Sequence, residues 1–254
     1  DKSTGTDELA CLYSELADLQ YEFGEYNRAV DYSDEQYKAA SSIRKINKRL
    51  QIQCSSVERK GSIYRDILQY THAIKEFSKN RELATKLGDH REILQATFEL
   101  AVCYMLRYES DVDNQDEKDL TKSEALYTAA TKLILMPEIQ NIIDQKTLLR
   151  FKSDLNMNCG LLKMHMKQYE RAIKHINQAY ILYKRLGDID ETARVFWNLS
   201  LCYQKMGNLS KALESAKQEL SIMTKDPDIS RPLDSLINVA ELCKKSLLFH
   251  DSIK

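Results

Sequence analysis

Apolar residues recur every three to four positions in each long segment of the chain, the period of an amphipathic helix, and nothing sustains the period of two of a half-buried strand. Five segments share one grammar: an apolar helix, a tight turn, then an aromatic residue or leucine, followed three residues on by alanine. The turns read Phe23-Gly24-Glu25-Tyr26-Asn27-Arg28-Ala29, Leu68-Gln69-Tyr70-Thr71-His72-Ala73, Lys167-Gln168-Tyr169-Glu170-Arg171-Ala172 and Met206-Gly207-Asn208-Leu209-Ser210-Lys211-Ala212. A further copy is split and resumes at Lys122-Ser123-Glu124-Ala125. Twelve residues before each unsplit alanine stands another small residue, Ala17, Gly61, Gly160 or Ser200, and Ala101 takes that place in the split copy. Small residues at paired positions let two antiparallel helices approach closely. The same count predicts a sixth copy around Ala240, with its second helix from about Ser252, so the chain is expected to end inside it.

This register is that of tetratricopeptide turns. The predicted fold is all-α: a right-handed tetratricopeptide superhelix of about 5.5 helix-turn-helix repeats, in one array over residues 1–254. The repeats fall near 8–48, 51–90, 91–136, 139–187, 189–226 and 232–254, the last truncated. The alanines at 29, 73, 125, 172 and 212 give intervals of 44, 52, 47 and 40, so the helices are longer than those of a repeat of about 34 residues. An acidic insertion, 107–120, interrupts the third repeat and is expected to be a solvated loop. Leu-Gly-Asp occurs at Gly88 and Gly187, a helix-ending glycine followed by a helix-starting aspartate.

Composition agrees. Seven glycines and three prolines in 254 residues are too few for a sandwich or barrel, which needs turn chemistry every ~8–12 residues. A net charge of −1, from 37 basic and 38 acidic side chains, gives no global reason to bind DNA phosphate, and sequence-specific nucleic-acid binding is not expected. No run of about 18 apolar residues suggests a membrane span. The six cysteines are scattered at least 40 residues apart and read as reduced core thiols. The five histidines lack metal-ligand spacing, and phosphate-loop, nucleophile-elbow and dinucleotide motifs are absent. Neither catalytic residues, nor a metal, nor a cofactor is expected.

In such an array the first helix of each pair lines a concave groove. The register puts Glu15, Asp18 and Glu22 there from the first repeat, Glu58 with Arg59 and Arg65 from the second, and Glu99 with Phe98 and Met105 from the third. Asp154, Met157 and Asn158 come from the fourth, and Arg194, Trp197 and Asn198 from the fifth. Asn158, Asn198 and Asn238 recur every 40 residues at one groove position. Carboxamides so placed can bond the N–H and C=O groups of an extended peptide, unless they simply occupy a solvated helix face. Trp197 is an apolar anchor or an inter-repeat plug, and the acidic first repeat suits a ligand with lysine or arginine at one end.

The register, the long period and the broken third repeat together resemble the N-terminal region of the Tonsoku and Tonsoku-like family. The resemblance runs through Glu8-Leu9-Ala10-Cys11, the Arg59-Lys60 and Glu99-Leu100-Ala101 helices, Leu155-Asn156-Met157-Asn158-Cys159-Gly160-Leu161 and Phe196-Trp197-Asn198-Leu199-Ser200. It implies a non-catalytic nuclear scaffold at replication forks, in replication-coupled homologous-recombination repair, whose groove reads the N-terminal tail of histone H3. Other repair proteins would be bound through regions this chain lacks. The alternative is a cytoplasmic adaptor of the Pins or kinesin-light-chain type binding a partner peptide. Pins-type arrays also carry Leu-Gly-Asp with a 40-residue period, but they are regular and lack the break.

Overall fold

The computed structural model describes residues 2–111, 113, 115–224 and 236–244, and among them every regular element is a helix. In chain order these are α1 (Lys2–Glu22), α2 (Tyr26–Ser41), α3 (Ile46–Asp66), α4 (Tyr70–Leu87), α5 (His90–Ser110), α6 (Glu117–Leu133), the short α7 (Pro137–Ile142), α8 (Gln145–His165), α9 (Tyr169–Leu186), α10 (Ile189–Lys205) and α11 (Leu209–Met223). A last helix, α12, spans 236–244. The expected helix from about Ser252 lies outside the described residues. The chain, read above as one array, divides into two compact units, Asp1–Ile143 and Asp144–Lys254.

Successive helices pack as hairpins: α1 on α2, α3 on α4, α5 on α6, α8 on α9 and α10 on α11. Four hairpin turns are the same object. In each, one residue at positive φ lets two backbone N–H groups turn back on the preceding helix. Gly24 and Glu25 bond the carbonyls of Tyr21 and Gln20, and Gly207 and Asn208 bond those of Gln204 and Tyr203. Glycine meets this demand in two repeats, but Leu68 (φ 62°) and Lys167 (φ 59°) hold the same place in the others. Between repeats, Gly88 and Gly187 end α4 and α9 in the left-handed conformation, and the carboxylates of Asp89 and Asp188 then cap α5 and α10.

The small residues lie where the two helices of a hairpin touch. A Cβ on Gly160 would stand 2.5 Å from Cγ1 of Ile176, and one on Gly61 2.8 Å from the ring of Phe77. Ile176 and Phe77 are fully buried, so neither can move aside cheaply. Buried side chains also tie hairpin to hairpin: Ser56 donates to the Ser33 carbonyl, and the Lys60 ammonium reaches Asp34 (2.8 Å) and Glu76 (3.2 Å).

The third repeat departs from its expected register. Ala125 is exposed; the buried small residue facing α5 is Ser123, whose hydroxyl donates to the Ala101 carbonyl at 2.8 Å. Leu120, buried, takes the wedge position that Tyr26, Tyr70, Tyr169 and Leu209 hold elsewhere, each three residues before the small one. The expected loop is also shorter than 107–120. Helix α5 continues to Ser110, and α6 starts at Glu117 with the Asp116 carboxylate as its cap. Asp119, counted among the solvated acids, is buried and paired with Arg107 through two bonds of 2.7 Å. The physical reason is that Asp116, Leu120 and Ser123 supply cap, wedge and small residue at helical spacing, so the helix begins well before the alanine. Of the cysteines, Cys54, Cys103 and Cys202 are buried as expected of core thiols, whereas Cys11 is exposed.

Two stability predictions follow from these contacts. Gly160→Ala should gain helix propensity of at most about 1 kcal/mol, yet lose about 1–3 kcal/mol to overpacking, and so melt lower; adding Ile176→Ala should recover part of the loss in a double-mutant cycle. Lys167→Gly should raise stability by about 1 kcal/mol, since a non-glycine residue in the left-handed region costs roughly 1–2 kcal/mol. Thermal and urea denaturation of both variants would check each sign.

Candidate functional site

In the first unit, α1, α3 and α5 present the residues of the expected groove. Glu15 and Glu22 are exposed and lack an ion-pair partner among the described residues. Asp18 is also exposed but is held by Arg59, whose Nε lies 2.6 Å from its carboxylate. The same guanidinium donates to Gln36 and Ser14, each at 2.7 Å, joining α1, α2 and α3. Arg65 binds the carboxylates of Asp66 and Glu99, and Gln95 donates to Glu99 at 2.9 Å, leaving Glu99 largely buried. Arg59 and Arg65, which the register sets among the groove acids, are therefore engaged with acids of the same unit.

Glu58 is different. It is half-buried on α3, near Glu92 and Glu99 of α5. Burial first, and then the charges of Glu92 and Glu99, push its carboxyl up to about 7, against the opposing pull of Arg59 and Arg91. Glu92 itself accepts a bond of 2.6 Å from the fully buried Asn80. The sequence register missed Glu92 because it precedes the first groove position of its repeat; its one visible signal is the Asp89-x-x-Glu92 spacing of a capping box. Of the two apolar residues counted with the groove, Met105 is buried, and Phe98 is half-buried and meets the buried Tyr127 edge-on at 6.0 Å.

In the second unit, α8, α10 and α12 carry the remaining candidates. Asp154 is half-buried and accepts a bond of 2.8 Å from the Tyr183 hydroxyl. Burial raises its carboxyl above the ordinary value, while Tyr183 and Arg150 oppose the shift. The same surroundings raise the Tyr183 phenol, through burial and then Asp154. Asn158 donates to its own helix, at the Asp154 carbonyl (2.8 Å). Asn198 does likewise at Arg194 (3.0 Å) and also reaches the Met157 sulfur at 3.6 Å. Asn238 accepts from Gln204 at 3.4 Å. Asn198 is only 6% exposed and Met157 is buried, whereas Asn158 and Trp197 are half-buried. Donation to the i−4 carbonyl uses one of the two amide hydrogens of Asn158, leaving the other and Oδ1 for a ligand.

Among the described residues, no three His, Cys, Asp or Glu side chains converge as metal ligands, and no helix is long and apolar enough to cross a membrane. The hairpins, their turns and the small-residue contacts define an all-α tetratricopeptide fold, a fold that serves generally as a non-catalytic scaffold for protein–protein interaction. A tetratricopeptide repeat family model matches residues 153–225. Along most of its length the chain is also similar to the Tonsoku-like protein of Drosophila melanogaster, at 21% identity over 244 residues. The match covers 94% of this chain but only 17% of that relative's length.

Solved structures agree on the fold. BtubC (BKLC) from P. vanneervenii has a TM-score of 0.68 at 16% identity, over 88% of this chain and 85% of that one. A putative kinesin light chain of Podosopora anserina, with nearly identical TPR-like repeats, scores 0.62 at 17% identity, over 85% and 96%. The Rap conjugation gene regulator of plasmid pLS20, solved in complex with the Phr* peptide, scores 0.59 at 16% identity, over 98% and 67%.

The Glu58 environment predicts a pH dependence. A folded carboxyl at about 7 against an ordinary value near 4.5 means the folded state holds the extra proton between them, so stability should fall as pH rises through that window. Urea denaturation at pH 5 and pH 8 should show the loss in the wild type and a smaller one in Glu58→Gln.

Proposed function

We propose that this chain is a nuclear peptide-binding scaffold module that reads the N-terminal tail of histone H3, within replication-coupled homologous-recombination repair. What carries the reading is the electrostatic state of the first unit. Glu15 and Glu22 stand exposed and without an ion-pair partner among the described residues, and burial, with the repulsion of Glu92 and Glu99 added, pushes the Glu58 carboxyl up to about 7. A lysine or arginine side chain entering beside Glu58 relieves that repulsion, so a basic tail is a better occupant than an acidic or neutral peptide. The likeness to the Drosophila relative supports the same reading, as does the Phr* peptide bound by a protein of similar fold. In the second unit, taken by itself, Asn158 with its remaining amide hydrogen and Oδ1 suits a peptide backbone, and the half-buried Trp197 suits an apolar side chain.

The internal pairing of Asp18 decides which variant tests this. Reversing Asp18 would also break its bond to Arg59, so Glu15→Lys with Glu22→Lys is the cleaner change. Each exposed pair is worth ~0.2–1 kcal/mol, and reversal replaces attraction by repulsion. By fluorescence anisotropy with a labelled histone H3 tail peptide, the double variant should bind several-fold more weakly than wild type, and binding should weaken as salt rises to about 0.15 M. Trp197→Ala should lower affinity at every salt concentration. Tail binding indifferent to both salt and the double reversal would sink the electrostatic mechanism; a wild type that ignores the tail and takes up an acidic adaptor peptide would favour the cytoplasmic-adaptor reading.

A further inference from the structure

The second unit holds a concave pocket of about 570 Å³, lined by Gln145, Lys146, Leu148, Leu149, Lys152, Arg185 and Leu186. It shares no residue with the groove positions described above. The first two turns of α8 form one wall and the last turn of α9 the other, the part of a hairpin that grows when a repeat is longer than about 34 residues. Three cations rim it, no acid lines it, and none of the three is ion-paired among the described residues. Three leucines provide the apolar surface.

The first unit shows what such a face receives. At the matching end of α3, Leu50 and Tyr37 of α2 pack against one buried cluster that includes Cys54 and Val57, and Gln53 donates to Ser41 of α2 at 3.2 Å. Leu50 and Gln53 stand at the same places in α3 as Leu149 and Lys152 in α8, each counted from the first residue of its helix. There the occupant is the end of an amphipathic helix, α2, whose Asp34 binds Lys60 of α3. Within the second unit α8 has no helix before it, and its face carries more positive charge.

We propose that this pocket is a docking site for an acidic amphipathic helix of a partner protein, with aliphatic side chains on the leucines and carboxylates against Lys146, Lys152 and Arg185. The leucines favour a peptide over nucleic acid, because base stacking needs an aromatic face and the pocket lining has none. Their concave placement suits inserted side chains better than a flat lipid surface. This site is independent of the histone reading: it uses other residues and ligand charge of the opposite sign.

The test uses the full chain and a fluorescein-labelled peptide of about 15 residues, with leucines at i, i+3, i+4 and i+7 and glutamate or aspartate elsewhere. Saturable binding is expected, weakened about tenfold or more by combined Lys146→Glu, Lys152→Glu and Arg185→Glu, since three attractions become repulsions. A peptide of equal charge with serine for leucine should bind at least several-fold more weakly. Excess histone H3 tail peptide should not displace the acidic one, and Glu15→Lys with Glu22→Lys should leave its binding unchanged, so this proposal and the histone reading can fail separately. Binding that survives the triple reversal, or single-stranded DNA of matched charge binding as tightly as the peptide, would overturn the proposal. So would absence of binding together with a lower melting temperature in the triple variant, which would make the pocket an internal packing surface.

Discussion

The structure depends most on the contact between the two helices of each hairpin. Where Gly160 faces Ile176, there is no room for a methyl group, and the same holds for Gly61 against Phe77. Such closeness fixes the rotation of each first helix about its axis, because only one face can come so near its partner. Once that face is committed inward, the other faces of the helix are committed with it, and Asn158 and Glu15, which lie about half a turn from Gly160 and Ala17, are directed away from the hairpin contact. The groove side chains are thus positioned by the absence of atoms on another face of the helix. The positive-φ turns serve the same end. Leu68 and Lys167 tolerate a conformation that glycine would take more easily, because the hairpin closes only with that turn.

Charge in the first unit works on two levels. Arg59 and Arg65 hold Asp18, Asp66 and Glu99, and in doing so bind α1, α2, α3 and α5 to one another. These acids are not available to a ligand at their formal charge. What remains is Glu15 and Glu22 in water, and Glu58 in a partly dehydrated site with acidic neighbours. Exposed carboxylates steer a cation over distance and contribute little on contact. A half-buried carboxyl that is reluctant to ionise gains more when a cation arrives, because the cation restores the charge that burial opposed.

Much of this was legible in the sequence because it depends on residue size and spacing. The paired small residues, the Leu-Gly-Asp junctions and the hairpin turns all obey rules that need no neighbour to be known. The third repeat shows the limit. Alanine was the expected small residue, yet serine meets the same steric demand and adds a bond to the Ala101 carbonyl, so Ser123 rather than Ala125 holds the contact. Nor does spacing reveal which groove charges are already paired, since Asp18 and Arg59 lie 41 residues apart and meet only through the packing of α1 beside α3. The asparagines share one register position, but burial separates them: Asn198 is enclosed against Met157 while Asn158 is only half-buried. Periodicity cannot tell these apart, because it fixes direction and not depth.

A net charge of −1 gives no global attraction for DNA phosphate, yet it describes no single face of the surface. The sum is near zero because unlike surfaces cancel in it. Around Glu15, Glu22 and Glu58 the uncommitted charge is negative, and around Lys146, Lys152 and Arg185 it is positive. Screening in physiological salt confines each field to about 8 Å, so a bound peptide responds to the patch it touches and not to the total. The two proposed sites therefore ask for ligands of opposite charge, and neither uses the charge on which the other depends.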